Sequence, residues 1–149
     1  MPSAAIATPV GRLTISEEGG AITAVSWKRA PEGEMTPLLK DALRQVHDYF
    51  AGTLTRFDLP LAPAATEAEQ AVRQAMLAIP FGATTTYGDI ARATGQVAQA
   101  VGQACARNRL PIIVPCHRVV GLAVSGHYSG GGGAETKHWL LRHEGATLL

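Results

Sequence analysis

TYGDIARATGQVAQAVGQACARN, residues 86–108, reads as two short helices parted by a tight glycine turn. Thr86 is followed three residues later by Asp89, the pattern of a side-chain-capped helix start. The helix YGDIARAT then stops at Gly95, a residue that adopts the left-handed conformation in which many helices end. Beyond the turn, Val97 to Arg107 forms a second helix, rich in Ala and Gly. Two short helices joined by a glycine-containing turn make a helix-turn-helix. An ordinary αα-hairpin packed through small residues fits the same pattern.

Working outward, Thr66 and Glu69 form another capping pattern ahead of an Ala-rich helix that ends near Ile79-Pro80, and Phe81-Gly82 turns the chain. Near the N-terminus, Ala4 to Ser26 alternates apolar and polar residues around Pro9-Val10-Gly11 and Glu18-Gly19-Gly20, which predicts a strand meander. Leu38, Leu39, Ala42, Val46, Tyr49 and Phe50 recur at helical spacing before Gly52. Phe57, Leu59 and Leu61 alternate as a further short strand, with Pro60 placing it at an edge, and LAPAA follows as a linker. The chain is thus expected to be α+β: a small N-terminal β/α lobe, residues 1–63, followed by a mainly helical C-terminal lobe, residues 64–149.

A chain of 149 residues with 46% hydrophobic content supports one compact core, or one core with a small appended lobe. The formal charge of +1 argues mildly against nucleic acid, but it is unevenly spread. Residues 1–66 hold 6 Lys/Arg against 7 Asp/Glu, and residues 67–149 hold 7 against 5, so any nucleic-acid face belongs to the second half. No stretch reaches the roughly 18 apolar residues of a membrane span, and MPSAAIATPVGR lacks a signal peptide's layout, so a cytoplasmic monomer is expected. Cys105 and Cys116 lie in no metal-ligand or disulfide spacing, and no metal or cofactor is implied. Each is a core filler or a reactive thiol.

The second of these thiols sits in LPIIVPCHRVV, residues 110–120, a short apolar run bracketed by prolines. A buried, rigid segment would deliver Cys116 to one place. An unperturbed thiol, with a pKa of about 8.5, is only a few per cent ionised at neutral pH, so a nucleophile needs a base or a positive field beside it. His117 and Arg118 supply one of each. On an extended strand successive side chains point to opposite faces, so His117 serves Cys116 only through a bend or an intervening water. A histidine base also needs a group that fixes its tautomer. Glu144, at the end of HWLLRHEG, is the candidate, with Glu135 the nearest alternative.

These residues resemble a known family. IPFGATTTYGDIA (79–91), Ala100-Val-Gly102, Asn108, IIVPCHRVV (112–120), Tyr128-Ser-Gly-Gly131, Lys137 and LLRHEG (140–145) are similar, in order, to the O6-alkylguanine-DNA alkyltransferases, or methylated-DNA–protein-cysteine methyltransferases. Thr8-Pro-Val-Gly11 and the stretch from Tyr49 to Leu61 resemble, more weakly, that family's ribonuclease-H-like N-terminal lobe.

The resemblance implies DNA repair by irreversible transfer of an alkyl group from O6-alkylguanine in double-stranded DNA, with O4-methylthymine a poorer substrate. Cys116 would attack the alkyl carbon, His117 would take its proton through water, and Glu144 would hold His117. Tyr87 would assist the leaving guanine, and Asn108 would couple the recognition helix to the catalytic segment. Val119, Tyr128, Ser129 and Cys105 would line or adjoin the base pocket. The base must be flipped out to be reached. Gln99, Ala100, Gly102 and Arg107 on the recognition helix, with Thr86 and Arg118, are the residues expected to meet DNA.

The chain departs from the family at Gln99, where an arginine normally enters the duplex to fill the flipped base's place. The turn before it is about two residues short, and Gly130 to Gly133 doubles the family's two glycines. Two competing functions follow: a non-catalytic damage-binding protein, which the presence of Cys116 disfavours, and a thiol acceptor for alkylated bases or small electrophiles outside duplex DNA, which Gln99 and the short turn favour.

Overall fold

The computed structural model describes residues 2–29, 31–121 and 133–146. The chain forms two compact units, Met1–Ala62 and Pro63–Leu149, and its class is α+β.

The first unit opens with strands β1 (Ser3–Thr8), β2 (Gly11–Glu18) and β3 (Ala21–Ser26), an antiparallel meander in chain order with Ile6 opposite Leu13 and Ile15 opposite Val25. Gly19 and Gly20 both take positive φ in the second hairpin, where a side chain would be strained. Ala4, Leu13, Ile15, Ile22 and Val25 are buried, and helix α1 (Pro37–Phe50) packs on β1 and β2. Thr36 caps it, accepting from the Leu39 N–H, and Pro37 begins it without a donor to lose. Its buried residues Leu39, Ala42, Val46 and Tyr49 follow the helical repeat. The strand expected at residues 57–61 does not form. Gln45, buried on α1, takes both backbone groups of Asp58, its Nε2 donating to the carbonyl at 2.9 Å and its Oε1 accepting from the N–H at 2.8 Å. Only Leu61 bridges to Ile22.

In the second unit, α2 (Glu67–Leu77), α3 (Tyr87–Thr94) and α4 (Ala98–Ala106) pack against one another. Thr66 caps α2 through the Glu69 N–H at 3.1 Å, and Thr86 caps α3 through the Asp89 N–H at 3.0 Å. Helix α3 ends on Gly95 at φ 70°, and three residues separate it from α4. Val101, Ala104 and Cys105 turn inward from α4, each larger apolar residue so buried contributing roughly 1.5–3 kcal/mol. Ala98, Gln99, Gln103, Ala106 and Arg107 remain exposed. Strand β4 (Thr85–Thr86) pairs in parallel with β5 (Val119–Val120), Thr85 opposite Val119. Helix α5 (Ala134–His143) completes the unit among the described residues. No described helix is long and apolar enough to cross a membrane.

Candidate active site

The segment that carries Cys116 is bent, not extended. Val114 donates its N–H to the Leu110 carbonyl at 2.8 Å, with Ile112 at φ 76° between them, a region a β-branched residue rarely enters. Pro115, at φ −81° and ψ 64°, centres an inverse γ-turn closed by the Cys116 N–H on the Val114 carbonyl at 2.8 Å. Cys116–Arg118 then forms one 3₁₀ turn that leads into β5. Of the two routes the sequence leaves open, a bend or an intervening water, the chain has the bend: proline fixes φ, and the two turns bend the chain at the thiol.

Asn108, just past α4, ties that helix to this segment. Its Nδ2 donates to the Val114 carbonyl at 3.0 Å, and its Oδ1 accepts from the Leu110 N–H at 3.0 Å. Cys116 is buried, with 4% of its surface exposed.

Beside it, the wholly buried ring of His117 donates from Nε2 to Oε2 of Glu144 at 2.7 Å. The histidine's pKa lies below its ordinary value: burial is the largest cause, Glu144 pulls the other way through its hydrogen bond and its charge, and the charges of Arg118 and Lys137 add to the lowering. Glu144 follows directly on α5, where the helix dipole disfavours a carboxylate. Its compensation is Arg118, which donates from Nε to Oε1 at 2.8 Å and from Nη2 to Oε2 at 3.0 Å. The guanidinium also donates from Nη1 to the Ile79 carbonyl at 2.7 Å and lies 5.9 Å from the centre of the Phe81 ring. Arg118, expected to meet DNA, is thus corrected to a buried partner of Glu144; the bend at Cys116 turns it inward.

Two contributors carry no assigned role in the sequence reading. Lys137 is buried on α5 and donates from Nζ to the Val119 carbonyl at 2.7 Å. Its ammonium lies 5.9 Å from the centre of the Tyr87 ring, and burial lowers its pKa against the pull of Cys116 and Cys105. The signal was present: Lys137, Leu140, Leu141 and Glu144 recur at i, i+3, i+4 and i+7, so both charges occupy the apolar face of their helix. Gly82, at φ 87°, is the second. A Cβ there would stand 3.1 Å from the Glu144 carbonyl oxygen.

Tyr87, at the start of α3, is half-buried, and its phenol is pushed up to about 12 by burial and by the nearby charges of Cys105 and Cys116. It keeps its proton at neutral pH. Cys105 turns its thiol to the Met76 sulfur at 3.7 Å and is pushed up to about 12 by burial, so it is a core thiol adjoining the site. Val119 is fully buried. Gln99 and Arg107 are exposed, the latter 3.4 Å from Glu69, while Ala100 and Gly102 are half-buried, with open space where a Gly102 side chain would project. Thr86 spends its hydroxyl on the α3 cap. Tyr128 and Ser129, like Gly130 to Gly132, lie outside the described residues. Among the described residues no three His, Cys, Asp or Glu side chains are grouped to hold a metal ion.

Residues 67–146 match the 6-O-methylguanine DNA methyltransferase DNA-binding domain, and residues 2–63 match the ribonuclease-like domain of the same proteins. The chain is 43% identical to the constitutive methylated-DNA–protein-cysteine methyltransferase of Bacillus subtilis, over 92% of this chain and 91% of that one. Its fold is similar to the crystal structure of O6-methylguanine methyltransferase from Mycobacterium tuberculosis, with a TM-score of 0.84 and 38% identity over 97% of this chain and 92% of that one. A structure of the M. tuberculosis protein in complex with DNA matches with the same TM-score and 37% identity, over 97% and 93% of the two chains.

Proposed function

The chain belongs to the methylated-DNA–protein-cysteine methyltransferase family, whose members repair DNA by alkyl transfer to cysteine, and we propose that here Cys116 takes the alkyl group from O6 of guanine. The observation that carries this reading is the buried turn that joins Cys116 to His117, with His117 held by Glu144 at 2.7 Å. Because Nε2 gives its proton to Glu144, Nδ1 is the basic nitrogen of the neutral ring. It takes the Cys116 proton, through water.

The sulfur then forms its bond to the alkyl carbon as the carbon–O6 bond breaks, and the electron pair passes into the purine. Tyr87 donates a hydrogen bond to the ring as that charge develops. The proton lost by the thiol balances the one that guanine gains, and the thioether has no leaving group to reverse the step. Each molecule acts once. The helical pair α3 and α4 serves as the helix-turn-helix, and the small residues of α4 let it lie close in a minor groove while the base is flipped. Residues 64–149 hold this machinery, and residues 1–63 form the ribonuclease-H-like lobe.

Duplex DNA carrying O6-methylguanine tests this reading: wild-type protein gains one methyl group and Cys116→Ser gains none. Gln99 favours a second reading, in which the thiol accepts alkyl groups while the grip on duplex is weak. Under it, free O6-alkylguanine reacts and duplex does not.

A further inference from the structure

We propose that Arg118 is a positioning residue that sets the resting charge of the His117–Glu144 pair: by holding both oxygens of Glu144, it keeps His117 neutral and able to take the Cys116 proton. This inference rests on His117 acting as the base for Cys116.

The geometry is a shared carboxylate. Oε2 of Glu144 accepts from His117 Nε2 at 2.7 Å and from Arg118 Nη2 at 3.0 Å, while Oε1 accepts from Arg118 Nε at 2.8 Å. The side chains of His117 and Glu144 are wholly buried, and that of Arg118 is 8% exposed. A charge in such a place is stable only when matched. One carboxylate and one guanidinium already balance. A proton on His117 would leave this buried cluster with a net positive charge. Without Arg118 the count reverses, because an unmatched carboxylate beside an imidazole is balanced by protonating the imidazole.

Among the described residues the other charged group facing His117 is Lys137, from the helix that leads to Glu144; it disfavours the imidazolium as Arg118 does, and burial does the same. Among the described residues Cys116 is a further titratable neighbour, on the same turn. Lys137 donates from Nζ to the Val119 carbonyl at 2.7 Å. Arg118 is itself fixed by the Ile79 carbonyl at 2.7 Å, which makes its charge a permanent part of the site.

The hydrogen bond to Glu144 and the charge match do separate things. The hydrogen bond decides which ring nitrogen holds the proton. Arg118 decides whether the ring holds one proton or two. A resting imidazolium would have nowhere to put the thiol's proton, so the thiol would stay unreactive until the pH rose.

The experiment follows the ionisation of His117 by NMR of ¹⁵N-histidine-labelled protein, together with the pH dependence of single-turnover methyl transfer. In wild type, His117 stays neutral at pH 7 and through the ordinary histidine range, and the acid limb of the rate profile lies below it. Arg118→Gln, which keeps a neutral donor for Glu144, raises the limb by at least about one pH unit, a roughly tenfold loss of rate on the acid side beyond any loss at the plateau. Arg118→Lys keeps the charge and leaves the limb in place, even where the plateau falls. In Arg118→Gln combined with Glu144→Gln, both charges are gone and His117 is neutral again at pH 7. An imidazolium at pH 7 in wild type, a limb unmoved by Arg118→Gln, or equal shifts in the Gln and Lys variants would overturn the proposal. An imidazolium in the wild-type titration overturns the proposal even where a variant fails to fold. If wild type transfers no methyl group, the functional reading fails while the NMR titration still reports on Arg118.

Discussion

His117 and Glu144 meet at 2.7 Å with no exposed surface on either side chain, and Arg118 grips the same carboxylate from its other side. An imidazole, the carboxylate that orients it and a balancing guanidinium therefore form one buried unit beside Cys116.

Glu144→Gln turns one acceptor into a donor that faces the donors of Arg118 and leaves that cation unmatched. Breaking a buried pair from one side costs about 3–5 kcal/mol. Urea unfolding is expected to show a loss of that order, with transfer slowed as well. A change below about 1 kcal/mol would mean that the pair is dispensable to the fold.

Gly82→Ala places a Cβ 3.1 Å from the Glu144 carbonyl at a backbone φ of 87°. The left-handed conformation alone costs roughly 1–2 kcal/mol for a residue with a Cβ, and relief of the contact pushes Glu144 away from His117. The expected result is a destabilised protein with a disproportionate loss of transfer rate. Unchanged kinetics would show that the Glu144 backbone has room to give.

Acid should weaken the fold through His117. Burial holds its folded pKa below the unfolded value of about 6.5, so the unfolded chain takes up a proton where the native state does not. The contribution is full above about 6.5 and is lost as the pH falls from there through the folded value. Urea midpoints measured between about pH 7.5 and 5.5 should decline, and His117→Asn should decline less steeply across that window. Parallel slopes would contradict a neutral, buried His117.

The caps of α2 and α3 were legible in the sequence because Thr66 with Glu69, and Thr86 with Asp89, interact within one helical turn. So was Glu144 as the partner of His117, since it ends an apolar helix with few competing acids. The strand at residues 57–61 was not, because Gln45, thirteen residues before Asp58, takes the backbone groups that a neighbouring strand would have used. Arg118 was misjudged for a related reason. Whether a cation beside a catalytic cysteine faces DNA or the core depends on a bend that Pro115 and the 3₁₀ turn create, and residue type alone carries no sign of it. Lys137 was readable from its spacing with Leu140, Leu141 and Glu144, since a lysine on a buried helix face requires a partner.

Gln99→Arg restores a guanidinium to the exposed first turn of α4. Tighter duplex binding is expected, with the salt dependence of log K steeper by about 0.9 if the new charge meets a phosphate, and faster transfer from duplex but not from free base. An unchanged duplex affinity and rate would remove Gln99 as the reason for a weak grip.

The central claim is the identity of the acceptor. After one incubation with duplex DNA containing O6-methylguanine, mass mapping of the tryptic peptides spanning residues 93–107 and 110–118 should find a single methyl group on Cys116, none on Cys105, and no further uptake from fresh DNA. Methyl on Cys105 instead, or an unmodified peptide from protein that has consumed the lesion, would contradict it.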